Sequence, residues 1–356
     1  MDKTPLRVAV VGAGYIGQAH VAALGDCPGA RLVAVVDPAP AAGDLARRWQ
    51  VPHLADLPAL LRTDWADAVV LATPNVVHVP QALMCLDAGL AVLLEKPVAT
   101  TVAEAERLLH AVSAREAREG RAARVLVGHH RAHSAIMAQA CAVVASGQLG
   151  RVVAVQGSAL FYKPDSYFDA GPWRREPGGG PILLNLIHEV HNLRMLCGEV
   201  VQVQALSSNA VRGHAVEDTV SIGLRFESGA LASFVLSDAA ACSRSWEHTS
   251  QENPAYPSHP DQDCYLIAGT QGSLAVPSMR MQRYADGAER SWWRALESTQ
   301  LPLERTDPIA QQMAHFVAVA RGTCAPLVSV RDGLANLRVT EAVVQAARSG
   351  GTVTLA

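Results

Sequence analysis

Aromatic residues make up only 5% of this 356-residue chain, and its cysteines never form a C-x-x-C pair. No basic excess is present: 30 Lys and Arg stand against 33 Asp and Glu, a net charge of −3. Nothing is left over to neutralise phosphates, which excludes nucleic acid as the main partner. No run approaches the roughly 18 uninterrupted apolar residues of a membrane span. The opening Met1-Asp2-Lys3-Thr4-Pro5 lacks the apolar stretch and small-residue cleavage site of a secretory signal. The seven cysteines (27, 85, 141, 197, 242, 264 and 324) are scattered singly. Without an export signal they read as buried thiols in a reducing compartment, so a cytoplasmic protein is expected. Internal repeats and low-complexity tracts are also missing.

What is present is an ordinary globular composition, 49% hydrophobic and 18% charged. That is too apolar to stay disordered and long enough to bury a core without disulfides. At roughly 150 residues per domain, the length suggests two domains. In the first third, continuous apolar runs at 6–11, 30–36, 68–72, 91–94 and 125–127 read as strands buried on both faces. Amphipathic stretches near 15–25, 39–49, 79–88 and 102–117 separate them, which predicts right-handed crossovers and a parallel sheet. After a helix near 134–146 the pattern changes. Strands at 152–159, 200–205, 220–226, 230–236, 264–268 and 273–276 dominate, with a hairpin signal at Phe226-Glu227-Ser228-Gly229-Ala230 and a long polar loop at 241–263. Helices near 308–321 and 331–348 end the chain. The fold class expected is an α/β Rossmann domain over 1–128 and an α+β domain with a large, mostly antiparallel open-faced sheet over 129–356. The final helix is expected to pack back on the first domain.

Gly12-Ala13-Gly14-Tyr15-Ile16-Gly17 is a G-x-G-x-x-G placed directly after a strand and opening a helix. Gly12 permits the tight turn, Gly14 lets a pyrophosphate approach the backbone, and Gly17 lets the helix pack on the strand. Asp37 ends the next strand, where an acid accepts from the adenosine ribose hydroxyls. Its carboxylate would repel a 2′-phosphate, and Pro38-Ala39-Pro40 supplies no adjacent Arg, so NAD is favoured over NADP. Arg47 and Arg48 lie one helix further on and are the cations that count against this preference. Two later strands end in chemistry at the carboxyl edge where such sheets bind ligands: Thr73-Pro74-Asn75 with His78, and Glu95-Lys96-Pro97. A Gly178-Gly179-Gly180 loop then opens a helix carrying Asn185, His188 and His191 or Asn192 on one face. His188 is the natural general base there, against the alternative of a satisfied core histidine. Its His-x-x-His lacks the spacing of a zinc pair, so no metal is expected.

These motifs, in this order, resemble the glucose-fructose oxidoreductase / inositol dehydrogenase / MocA family along essentially the whole chain. The resemblance implies that Lys96 and His188 flank the reacting carbinol, and that Lys96-Pro97 is a cis bond. It places Gly12, Ala13, Gly14, Tyr15, Ile16, Gly17, Asp37, Thr73, Pro74, Asn75, His78, Glu95 and Lys96 at the cofactor. Arg131, Tyr162, Trp173, Arg174, Asn185 and His188 are the expected substrate residues, with Trp246 and His248 of the polar loop as further lining. The activity implied is NAD(P)-dependent hydride transfer between nicotinamide and a secondary hydroxyl or ketone of a sugar, inositol or related cyclic polyol or diol. A homodimer or homotetramer through the second sheet is implied as well. Two rival readings are a redox-neutral, NAD-dependent glycoside hydrolase and a non-catalytic NAD(H)-binding sensor. The sequence departs from many relatives in one respect: Leu184 and His191 stand where an Asp is common, four residues before and three after His188.

Overall fold

The computed structural model describes residues 4–355. Strand β1 (Leu6–Val11) feeds α1 (Tyr15–Gly25), followed by β2 (Ala30–Val36), α2 (Ala42–Arg48), β3 (His53–Leu54) and α3 (Leu57–Leu61). Then come β4 (Ala68–Leu71), α4 (His78–Asp87), β5 (Ala91–Glu95), α5 (Val102–Glu119) and β6 (Val125–Gly128). The six strands form one parallel sheet in the order β3-β2-β1-β4-β5-β6. This is the doubly wound dinucleotide-binding order, whose ligands sit beyond the carboxyl ends of the strands. The expected apolar runs are its centre, since Val8–Val10, Ala68–Leu71 and Val92–Leu94 are closed to solvent.

The second part of the chain contributes α6 (Ala135–Ala145), β7 (Val152–Leu160), α7 (Asp165–Asp169), α8 (Ile187–Cys197), β8 (Val200–Ser208), β9 (Thr219–Phe226), β10 (Leu231–Ser237) and α9 (Trp246–Thr249). Then follow β11 (Tyr265–Gly269), β12 (Gly272–Val276), β13 (Arg280–Arg283), β14 (Glu297–Gln300), α10 (Pro308–Ala320), α11 (Val330–Ser349) and β15 (Val353–Thr354). A nine-stranded sheet runs β14-β13-β12-β11-β7-β10-β9-β8-β15, antiparallel apart from the parallel β7–β10 pair. The hairpin expected at 226–230 joins β9 to β10, with Phe226 N–H donating to the Ala230 carbonyl. One face of this sheet is the core, where Val220, Ile222, Leu224 and Phe226 alternate inward with Phe234 and Leu236. The other face carries Leu206, Leu231, Val235 and Leu266, all exposed.

The chain divides differently from a single cut after residue 128. One compact unit runs to His133 and also takes Asp307–Leu337; the other holds Ser134–Thr306 and Arg338–Ala356. The physical reason is α10. Its Met313 and Phe316 are fully buried, and it lies against α1, β5 and β6 within the first unit. Val127 N–H, at the edge strand of the parallel sheet, donates to the Val328 carbonyl just beyond that helix. Helix α11 starts in the first unit and continues, from Arg338, in the second. No helix among the described residues is long and apolar enough to cross a membrane.

Candidate active site

In the first unit the glycine turn is built by exclusion. Gly12 has φ +99°, and a Cβ there would stand 2.3 Å from the Ala72 carbonyl oxygen. A Cβ on Gly17 would meet the Gly12 carbonyl oxygen at 1.9 Å, so α1 can touch the strand only through a glycine. Gly14 is different: a Cβ there would meet nothing within 4 Å, leaving its backbone open to a ligand. Gly14 is also the N-cap of α1 and offers no side-chain cap, so the first N–H groups of the helix are left for an outside acceptor. Beside the turn, the half-buried Asp37 accepts from Ala13 N–H at 2.8 Å and from Ala39 N–H at 2.8 Å. A carboxylate has about four lone-pair positions, so capacity remains for ribose hydroxyls. An open glycine, an uncapped helix start and a carboxylate at the next strand end together fit an NAD molecule.

The carboxyl ends of β4 and β5 are braced rather than open. His78 is fully buried, its Nδ1 2.8 Å from the Pro97 carbonyl and its Nε2 2.9 Å from the Thr73 carbonyl. Burial pushes its pKa down, against the pull of those two carbonyls. The histidine ties the turn after β4 to the turn after β5. Glu95 is also interior. Its Oε1 lies 2.8 Å from Nε2 of the fully buried His20 on α1, and its Oε2 accepts from Lys96 N–H at 3.1 Å. Burial pushes the Glu95 carboxyl up. The His20 hydrogen bond and the charges of His20, Lys96 and His130 outweigh it, holding the group below its ordinary value. Gly128 makes room, since a Cβ there would stand 2.9 Å from Glu95 Oε1. Glu95 thus helps to position its neighbour Lys96. Lys96 is half-buried and precedes Pro97 through a cis bond, as the resemblance implied. Thr73 Oγ1 donates to Gln81 Oε1 at 2.7 Å, and Asn75 begins a short 3₁₀ turn. Arg131, expected at substrate, lies in the turn after β6 and is only 3% exposed.

In the second unit, the glycine loop leads into a π-helical turn, Ile182–Leu186, that continues as α8. Single π turns inside helices recur at functional sites. Glu217 Oε1 accepts from Ile182 N–H at 2.9 Å, in space that a side chain on Gly180 would fill. Helix α8 is buried nearly all round, including His188, Glu189, His191 and Asn192. Glu189 accepts from the Tyr265 hydroxyl, to which Asn192 also donates at 3.1 Å, so this carboxylate is engaged with β11. Asn185 Oδ1 accepts from Lys163 Nζ at 2.7 Å. The Arg174 guanidinium stacks over the Tyr167 ring at 4.0 Å and donates to its carbonyl, while Tyr162 and Trp173 are exposed. Trp246, expected as lining, is instead a core residue whose indole N–H donates to Glu252 Oε2 at 3.0 Å. Among the described residues no cluster of three or more His, Cys, Asp or Glu could hold a metal ion.

Residues 6–120 match the model of an oxidoreductase family with an NAD-binding Rossmann fold, and residues 137–275 match the GFO/IDH/MocA C-terminal domain. The chain belongs to the Gfo/Idh/MocA family. It is 30% identical to 1,5-anhydro-D-fructose reductase of Ensifer adhaerens, over 80% of this chain and 78% of that one. It is 31% identical to inositol 2-dehydrogenase 1 of Saccharopolyspora erythraea, over 98% and 96%. The crystal structure of aldose-aldose oxidoreductase from Caulobacter crescentus, complexed with glycerol, superposes with a TM-score of 0.77 at 26% identity, covering 99% of this chain and 100% of that one. As a Gfo/Idh/MocA protein the chain is an NAD-binding oxidoreductase of the dehydrogenase and reductase type. Sequence reasoning missed His20, for which the available signal was a histidine on the apolar face of the glycine-turn helix.

Proposed function

We propose that the chain transfers hydride between NAD and a secondary hydroxyl, or its ketone, of a sugar, inositol or related cyclic polyol. The observation that carries this reading is a lysine at the carboxyl end of β5, in the same sheet as an NAD-fitting glycine turn. NAD, when bound, supplies the hydride acceptor. Lys96 would hydrogen-bond the carbinol oxygen and stabilise the negative charge that develops on it. His188 would take the hydroxyl proton, since imidazole accepts and returns protons near neutrality. Gly12–Gly17, Asp37, Thr73, Pro74 and Asn75 would hold the cofactor. Tyr162, Trp173, Arg174 and Asn185 would contact substrate. The test incubates purified protein with NAD and a panel of inositols, aldoses and sugar acids while reduced-nicotinamide absorbance is followed. A rise with one compound class is the expected result; no rise with any class, despite demonstrable NADH binding, overturns the reading.

NAD rather than NADP is proposed because the Asp37 carboxylate after β2 would repel a 2′-phosphate, while Arg47 is paired with Asp44 on an exposed helix surface. Asp37→Ala should weaken NADH binding about tenfold or more, the cost of losing hydrogen bonds to a charged group. NADPH should lose less. Fluorescence titration of both cofactors checks this, and an unchanged NADH affinity would count against Asp37 as the ribose acceptor. Assembly through the exposed Leu206, Leu231, Val235 and Leu266 face of the nine-stranded sheet is proposed as well. So is a reducing, cytoplasmic location, which the seven free cysteines support.

A further inference from the structure

The π turn before His188 begins with a donor that its own neighbours do not satisfy. Gly180 has no side chain, and Pro181, at the N-cap, supplies no side-chain hydrogen bond, so Ile182 N–H needs an acceptor from elsewhere. That acceptor is Glu217, 35 residues further on in the loop before β9, with Oε1 2.9 Å away. Gly180 is fitted to the same carboxylate. A Cβ there would stand 2.4 Å from Glu217 Oε1 and 2.9 Å from Oε2. Gly180 lacks the positive φ that would call for glycine on backbone grounds, so it is the carboxylate that requires one. Burial pushes the Glu217 carboxyl above its ordinary value, against the pull of the Ile182 and Glu217 amides. A Ser or Asp within the turn would cap the same N–H without burying a distant carboxylate. What the distant group adds is a tie between the turn and the loop before β9. Two residues earlier in that loop, Ala215 N–H donates to the Arg175 carbonyl at 3.1 Å, just ahead of the glycines. Lys163, which follows β7, meets Asn185 Oδ1 through Nζ at 2.7 Å. The turn is thus gripped at its first and its fourth residue by groups borne on the sheet.

Resting on the oxidoreductase reading above, we propose that Glu217 is a positioning residue of the reaction, whose hold on Ile182 N–H fixes the π turn and with it the places of Asn185 and His188. Glu217 acts through the turn and not by touching substrate. A π turn is far rarer than an α turn, and this one loses its only cap when the carboxylate is removed. Relaxation toward α spacing then turns Asn185 relative to His188. Rates are steep in such placement, since a shift of about 1 Å can cost about a hundredfold.

The experiment uses the full chain loaded with NADH and follows deuterium exchange of the turn and α8 by mass spectrometry. Beside it runs turnover of the panel of inositols, aldoses and sugar acids with NAD, counted per NADH-binding site. Glu217→Ala should speed exchange at the turn about tenfold or more, as the loss of a hydrogen bond to a charged group implies. It should lower kcat by about tenfold or more with KM for NAD unchanged. Glu217→Gln keeps an acceptor oxygen at the same reach and should restore most of both. Gly180→Ala puts a methyl where the carboxylate lies, so it should mimic Glu217→Ala and serves in its place if that variant does not fold. In the Glu217→Ala background the same methyl meets open space and should add nothing. A merely structural role would lower the thermal transition and leave kcat per site untouched. Exchange at the turn that no variant changes, or faster exchange with kcat undiminished, overturns the proposal. Faster exchange in the variants of a protein whose wild type turns over no member of the panel upholds the hold of Glu217 on the turn and sinks the proposed hydride transfer.

Discussion

Lys96→Met is expected to lower kcat by about 10²–10³-fold, the range seen when a single donor to a developing oxyanion is removed. The Met side chain keeps the length and the apolar stem but can neither donate nor carry charge. NADH binding should survive, because the glycine turn and Asp37 lie on β1, α1 and β2 and do not depend on the lysine ammonium. Stopped-flow measurement of a single turnover, alongside NADH titration, separates the two effects. An undiminished chemical step would remove Lys96 from the mechanism. Lys96→Arg should fare little better than Met, since a planar guanidinium does not replace a compact ammonium in a fitted position.

The second large effect concerns stability. Replacing His20 by Leu would leave the Glu95 carboxylate in the interior with its principal partner gone, and breaking a buried pair in this way costs about 3–5 kcal/mol. The cost should depend on pH in a definite direction. Glu95 is held below its ordinary carboxylate pKa in the folded protein, so its ionised form stabilises the fold above that value. The contribution fades as pH falls through the lowered folded value. Urea unfolding should therefore show the full difference between wild type and His20→Leu at neutral pH and a smaller one near about pH 4. Equal midpoints at neutral pH would show that the pair does no structural work. His20→Gln, which can still donate to Glu95, should recover part of the loss. Because Glu95 also receives Lys96 N–H, His20→Leu should lower kcat even in the fraction that remains folded.

The parallel sheet was legible in the sequence because its strands are buried on both faces and so appear as unbroken apolar runs. β1 and β2 fall where those runs predict. The elements that escaped prediction lack this signal. β3 has two residues, and β14 is a fully exposed edge strand of Glu297, Ser298, Thr299 and Gln300. The π turn at Ile182–Leu186 escaped as well, since a one-residue change in hydrogen-bond span leaves composition untouched. At the site, the glycines and Asp37 were readable because each meets a local demand of turn or strand end. His78 and Glu95 were legible only in part. Sequence puts both beside the cofactor turn, but only the fold reveals that carbonyls and His20 hold their side chains. The contact between Lys163 and Asn185 was beyond reach because the two lie 22 residues apart across the glycine loop.

The return of α10 to the first unit bears on how the protein is made. A ribosome that has delivered the six strands of the parallel sheet has not yet delivered the helix that covers α1 and β6. Asp307 emerges 174 residues after His133 (307 − 133), and at about 5–20 residues per second that is a wait of roughly 10–35 seconds. During that interval the nascent sheet offers an uncovered apolar surface where Met313 and Phe316 will later sit. The nucleotide-binding half therefore matures late, after the intervening domain has been synthesised. A fragment cut at His133 should be sticky and poorly soluble, while one that rejoins 307–337 to it through a short linker should not.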